Sequence, residues 1–209
     1  SKLTTEEYIR DPRFEVIGVA VKVNNEAAEW ASGTHEEIKG FLQTFNWSEA
    51  MFLAHNTMFD GAIAHWLFGV SPRAYTDTLC IARAVDGVEV GASLRVLAER
   101  YSLGVKGNEV LDALGKHRAD FTPEELSRYG DYCINDAELA HDLFKVFIPT
   151  FPKGELKLID LTLRMFIEPT LDLDLGLLEQ HLIETRDHKD ELLNDANVNK
   201  KDLMSNPKF

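Results

Sequence analysis

The residues of this chain best suited to chemistry are one tyrosine and two aspartates. Tyr132 and Asp136 are spaced i, i+4 in a stretch of helical periodicity, so they share one face, a turn apart. Asp60 closes the run Met51-Phe-Leu-Ala-His-Asn-Thr-Met-Phe-Asp60, where a short apolar strand passes through a polar turn into a helix beginning near Gly61. A carboxylate at such a junction sits on rigid scaffold and can face a ligand at the carboxyl edge of a sheet. Each feature also has a plain structural reading. Asp60 can serve as an ordinary N-cap, and Tyr132 with Asp136 can be a surface tyrosine beside a solvated carboxylate. Two carboxylates that converge without a basic partner repel each other unless they hold a cation. Magnesium or manganese suits oxygen ligands of this kind.

Composition limits the possibilities. Among 209 residues, 44% are apolar and 27% charged, enough for one proper core with an appendage. The net charge of -13 argues against a broad nucleic-acid footprint, which needs a basic stripe. It leaves open a small acidic pocket that meets phosphate through divalent ions. No apolar run reaches the roughly 18 residues needed to span a membrane. The first residues have no signal-peptide character, and Cys80 and Cys133 stand far apart, as buried thiols in a reducing compartment would. These features predict a cytoplasmic protein.

The elements that must position the three residues follow in order. Thr4 or Thr5 caps a short helix ending before Asp11-Pro12. Phe14–Val23 is β-branched and apolar enough to predict a strand covered on both faces, with a shorter partner near residues 28–31. Thr34-His-Glu-Glu37 is a capping box for a helix through Phe45. Asp77 ends a brief strand and caps a helix to about Ala84, and Ser93 caps another to Tyr101. Thr122-Pro-Glu-Glu125 is the best helix start, opening a helix to about Ile148 whose stripe Leu126, Tyr129, Cys133, Ala137, Ala140, Phe144 and Phe147 should be buried. Trp30, Trp47 and Trp66 read as core, and the seven histidines show no metal-ligand spacing. This order predicts an α/β fold with a mixed sheet. The character changes after residue 152, which divides the chain into 1–152 and a helical segment, 153–209.

Asn56-Thr-Met-Phe-Asp60 and Tyr132-Cys-Ile-Asn-Asp136 resemble the second and third motifs of DEDD-type 3′–5′ exonucleases, in the right order and at roughly the right separation. A tyrosine rather than a histidine before the last aspartate marks the tyrosine subclass. Asp77-Thr-Leu, Arg83 and Ser93-Leu-Arg-Val-Leu-Ala also look like this family, so the resemblance covers about residues 14–148. It implies a ribonuclease H-like mixed sheet flanked by helices. Asp60 and Asp136 would be metal ligands for two Mg2+ or Mn2+ ions, and Tyr132 would orient the attacking water. Asn56 and Phe59 would steer the terminal nucleotides of a single-stranded DNA 3′ end. Leu161–Asp174 resembles the segment that joins exonuclease to polymerase in family A DNA polymerases, phage-type members above all. That implies a proofreading domain partnered by a polymerase domain of the same parent chain, in a bacterial or phage-infected cell.

The family's first motif, D-x-E on the first and central strand, has no counterpart in residues 1–13, and Ser205–Phe209 is a helix start without its helix. The expectation is a fragment cut at both ends and inactive by itself. Its sheet should carry unpaired edges at the missing strand, to be filled by another segment or removed by rearrangement. The rival readings are an RNA-directed exonuclease of the same subclass and an inactive exonuclease-like scaffold or binding module.

Overall fold

The computed structural model describes residues 3–107, 115–198 and 200–203. It divides into two compact units, residues 1–169 and 170–209. The proposed helix start at Ser205–Phe209 lies outside the described residues.

In the first unit, local signals set most of the helices. Helix α1 (Thr5–Ile9) and helix α2 (His35–Leu42) each begin with a reciprocal capping box, Thr4 with Glu7 and Thr34 with Glu37. The two units of strand structure are short. Strand β1 (Val19–Val21) pairs antiparallel with β2 (Glu29–Ala31), Ala20 opposite Trp30. Strand β3 (Met51–Ala54) is followed by α3 (Thr57–Phe68) and by β4 (Ala74–Asp77), which pairs parallel with β3, Ala54 opposite Asp77. Then come α4 (Thr78–Asp86), α5 (Leu94–Arg100), α6 (Pro123–Phe147) and α7 (Lys153–Ile167).

The fold is mixed α/β, but its strands form two separate two-stranded sheets and not one continuous sheet. Among the described residues no strand joins β1 to β3. The predicted strand over Phe14–Val23 shrinks to three residues, all only half-buried. Ladder hydrogen bonds need a partner, and β1 has one on a single side for three residues only.

Both pairs pack on shared helices. Val19 and Val21 of β1 and Phe52 of β3 all rest on the cluster of Ile38, Leu42, Ala64, Phe68 and Val70, from α2, α3 and the turn after it. Helix α6 contacts β1, β2 and β3. Its buried residues are Gly130, Leu139, Ala140, Leu143 and Phe147, so the predicted stripe is corrected at Phe144, which is half-buried, and in its first half. There Leu126, Tyr129, Cys133 and Ala137 are half-buried, because α4 and α5 cover only the second half of the helix. The three tryptophans are half-buried as well. Trp30 lies against Gly130, where an added Cβ would sit 2.7 Å from the indole Nε1.

Helix α7 belongs to this unit, although the sequence puts it beyond the change at residue 152. Leu163 and Ile167 join Ile9, Ala62 and Tyr75 in one buried cluster. Asp160 accepts the Tyr75 backbone N–H at 2.7 Å, which satisfies a donor on the outer edge of β4. Arg164 donates to the carbonyls of Pro72 (3.1 Å) and Arg73 (2.8 Å) and pairs with Asp160 and Glu168.

The second unit holds α8 (Leu175–Asp195), capped by Asp174, and α9 (Lys200–Leu203). Helix α8 buries none of its residues. No helix among the described residues is long and apolar enough to cross a membrane.

Candidate active site

The site is built where β3 and β4 end. After Ala54 the chain turns through His55 and Asn56, and Asn56 adopts left-handed backbone angles (φ 79°, ψ 51°) as the N-cap of α3. Few side-chain-bearing residues tolerate this conformation, and asparagine is among those that do. The buried Asp77 holds it in place. One carboxylate oxygen accepts the N–H groups of Asn56 (3.0 Å) and Leu79 (2.8 Å), and the other accepts the Thr57 N–H (3.2 Å). A single side chain therefore satisfies the first free donors of both α3 and α4. Thr57 adds a second tie, donating its hydroxyl to the Thr76 carbonyl at 2.6 Å and accepting the Ala54 N–H at 3.0 Å. His55 is fixed through Nε2 to the Ala92 carbonyl and Nδ1 to the Thr78 hydroxyl, both at 2.9 Å. Burial lowers its pKa, which favours the neutral ring with Nε2–H donating and Nδ1 accepting.

Because α3 starts at Thr57 and not near Gly61, Asp60 lies inside the first helical turn and is no N-cap. Its carboxylate is left uncommitted. The residue is solvent-exposed, although enough protein lies around the carboxyl to cost it part of its hydration. That loss of hydration, with the nearby carboxylates of Asp77 and Asp136, pushes its pKa up to about 7.

Asp136 arrives from α6. Its residue is half-buried, and Lys106, from the segment after α5, donates to its Oδ2. The same ammonium donates to the Tyr132 hydroxyl at 2.7 Å and lies 4.6 Å from the centre of the Tyr132 ring. The other oxygen, Asp136 Oδ1, is buried and has no hydrogen-bond partner among the described residues. Burial and the adjacent Asp136 raise the pKa of Tyr132, so it stays a neutral phenol.

A metal fits this set in part. Two carboxylates that feel one another, one with an orphaned buried oxygen, are what a hard cation would satisfy. The set is incomplete, since no group of three or more His, Cys, Asp or Glu among the described residues is placed to hold an ion.

A family model described as 3′–5′ exonuclease, for family A DNA polymerases, matches residues 4–150. The chain belongs to that exonuclease family. The match takes in both strand pairs and all of α1 to α6, so it includes every element that positions Asp60, Tyr132 and Asp136. No curated protein and no solved structure matches the chain.

Within this exonuclease fold the two expected substrate residues differ. Asn56 is exposed at the turn, its side chain making no capping bond. Phe59 packs toward the core, against the cluster of Ile9, Ala62 and Ile167 and 6.1 Å from the Tyr8 ring. Sequence reasoning missed Lys106 entirely. The sequence identifies Asp77 as the cap of α4 but not as the anchor of α3. Lys106 carries no local signal. Asp77 does, in principle, because a buried aspartate at a strand end beside a second helix start can serve both.

Proposed function

We propose that this chain is the proofreading exonuclease domain of a phage or bacterial family A DNA polymerase. It would remove nucleotides from a single-stranded DNA 3′ end with Mg2+ or Mn2+. Family membership supports the reaction class. One observation carries the assignment of residues: Asp136 of α6 shares the Lys106 ammonium with the Tyr132 hydroxyl and keeps a buried oxygen, Oδ1, without a partner among the described residues.

Asp60 and Asp136 would hold the metal, with Asp136 Oδ1 as a ready oxygen ligand. When bound, two such ions would supply the nucleophile at neutral pH and stabilise the leaving 3′-oxygen. Tyr132, kept neutral, would orient the attacking water through its hydroxyl. Asn56, exposed at the mouth of the turn, would face the terminal nucleotide, with Phe59 fixing the helix beneath it.

The fold reading goes further than the two observed strand pairs. Their shared helices, α6 and the α2–α3 cluster, support a ribonuclease H-like mixed sheet. Leu161–Asp174 would lead into a polymerase domain of the same parent chain, and the compartment would be the cytoplasm of the cell in which it replicates DNA.

The test is a manganese titration by calorimetry on this chain and on a form extended at its N-terminus, each beside Asp60→Ala and Asp136→Ala. Binding that either substitution abolishes supports one shared site, and single-stranded DNA hydrolysis by the extended form supports the activity. An extended form that binds no manganese would sink the proposal.

A further inference from the structure

We propose that Lys106 is the resident counter-ion of the carboxylate site, standing where a divalent cation would stand and competing with it. The inference rests on reading Asp60 and Asp136 as a metal-binding pair.

A half-buried carboxylate is costly without a positive partner. Asp136 meets that need with the Lys106 ammonium, whose side chain is itself only 19% exposed. The ammonium has three donors; one goes to Asp136 Oδ2, one to the Tyr132 hydroxyl, and the charge also faces the Tyr132 ring. It therefore touches two of the three residues assigned to the reaction, and its charge also acts on Asp60.

The match between Lys106 and the site is incomplete. An ammonium on Oδ2 leaves Oδ1 buried and unpartnered. A divalent ion accepts several oxygen ligands and can take both oxygens of one carboxylate, or one from each of two carboxylates. Exchange of lysine for metal would remove the unsatisfied atom and the repulsion toward Asp60 together.

Lys106 is also placed to leave. It is carried by an irregular segment, Leu103–Gly107, and not by a helix or strand. Leu103 anchors the start of that segment, its N–H donating to the Ala98 carbonyl at 2.9 Å, and beyond it Asn135 Nδ2 donates to the Val105 carbonyl at 3.1 Å and Arg95 Nη2 to the Gly107 carbonyl at 3.2 Å. Asn135 neighbours Asp136 on α6, so the tie can keep the loop near the site while the lysine side chain swings out.

The experiment is manganese calorimetry on the full chain and on Lys106→Met, Lys106→Gln, Lys106→Arg and Asp136→Asn, with melting temperatures to verify folding. The neutral variants should bind manganese roughly tenfold more tightly than the unaltered chain, within the range usual for coupled sites. Lys106→Arg should stay as weak as the unaltered chain, and Asp136→Asn should lose binding. Two neutral variants are included so that one that folds poorly does not decide the matter. Equal affinity in the unaltered chain and a folded neutral variant would overturn the competition while leaving the metal site standing. No binding by any of these forms would overturn the competition, and the metal site would then stand or fall with the extended form.

Discussion

The buried carboxylate of Asp77 accepts the backbone N–H of Asn56 at 3.0 Å, so the end of β4 fixes the start of the helix that carries Asp60. The same carboxylate takes the N–H groups of Thr57 and Leu79. Asp77→Asn presents an amide N–H to at least one of these donors and orphans it. The expected loss is about 2–3 kcal/mol of stability, the cost of a broken charged hydrogen bond in a buried place. Chemical denaturation checks this, and an unchanged midpoint would show that the α3 start holds without Asp77.

Asp60 predicts an opposite sign. Its folded pKa, pushed up to about 7, exceeds its ordinary value of 3.8, so the folded chain binds more protons than the unfolded one between those values. Metal-free stability should therefore fall as pH rises from about 4 to about 7 and then level off, as far as this group governs it. Asp60→Asn, which cannot ionise, should melt higher than the unaltered chain at pH 8 in the presence of chelator. The advantage should shrink toward pH 4. A melting series across that range tests it, and a substitution that destabilises at pH 8 would contradict it.

Tyr132→Phe keeps the ring and removes only the hydroxyl that receives Lys106. In an N-terminally extended, active form, hydrolysis of single-stranded DNA should drop about 10²-fold, the lower end for a lost proton-transfer or orienting group. Melting should change little. Full activity would remove Tyr132 from the mechanism.

Gly130 stands where α6 crosses β2. An alanine Cβ there would lie 2.7 Å from Trp30 Nε1 and 2.8 Å from its Cδ1. Helix propensity favours the change by about 1 kcal/mol, but forcing apart a packed contact costs about 1–3 kcal/mol. Gly18 lies close to the far end of the same indole, where an added Cβ would fall 2.4 Å from it, which leaves Trp30 little room to shift, so the net effect should be a loss. Thermal unfolding of Gly130→Ala decides between the two terms.

Helix α7 should matter to the first unit. A chain ending at Pro169 should retain its unfolding transition, whereas one ending at Pro152 exposes the cluster that Leu163 and Ile167 complete. Each of those side chains contributes about 1.5–3 kcal/mol by burial, and the Arg164 and Asp160 ties to β4 go with them. Equal melting of the two chains would place the structural boundary at residue 152.

Helix starts were legible because their bonds are local. Thr4 with Glu7, Thr34 with Glu37 and Thr122 with Glu125 close within three residues, so no distant contact is needed to read them. The same holds for the shared face of Tyr132 and Asp136, which helical periodicity alone sets. The α/β order and the family's paired motifs were likewise carried by residues near one another in the chain. What lay beyond reach was every decision made across the chain. Strand β1 shortened because ladder bonds need a partner, which no run of valines supplies. The first half of α6 stayed half-exposed because burial depends on which neighbours arrive. Helix α3 begins at Thr57 because Asp77, from another strand, holds the left-handed turn at Asn56 with hydrogen bonds. Lys106 reached Asp136 only because the segment after α5 folds back over α6. Charge at a distance in sequence leaves no periodicity to read, and only the folded chain shows which charges meet.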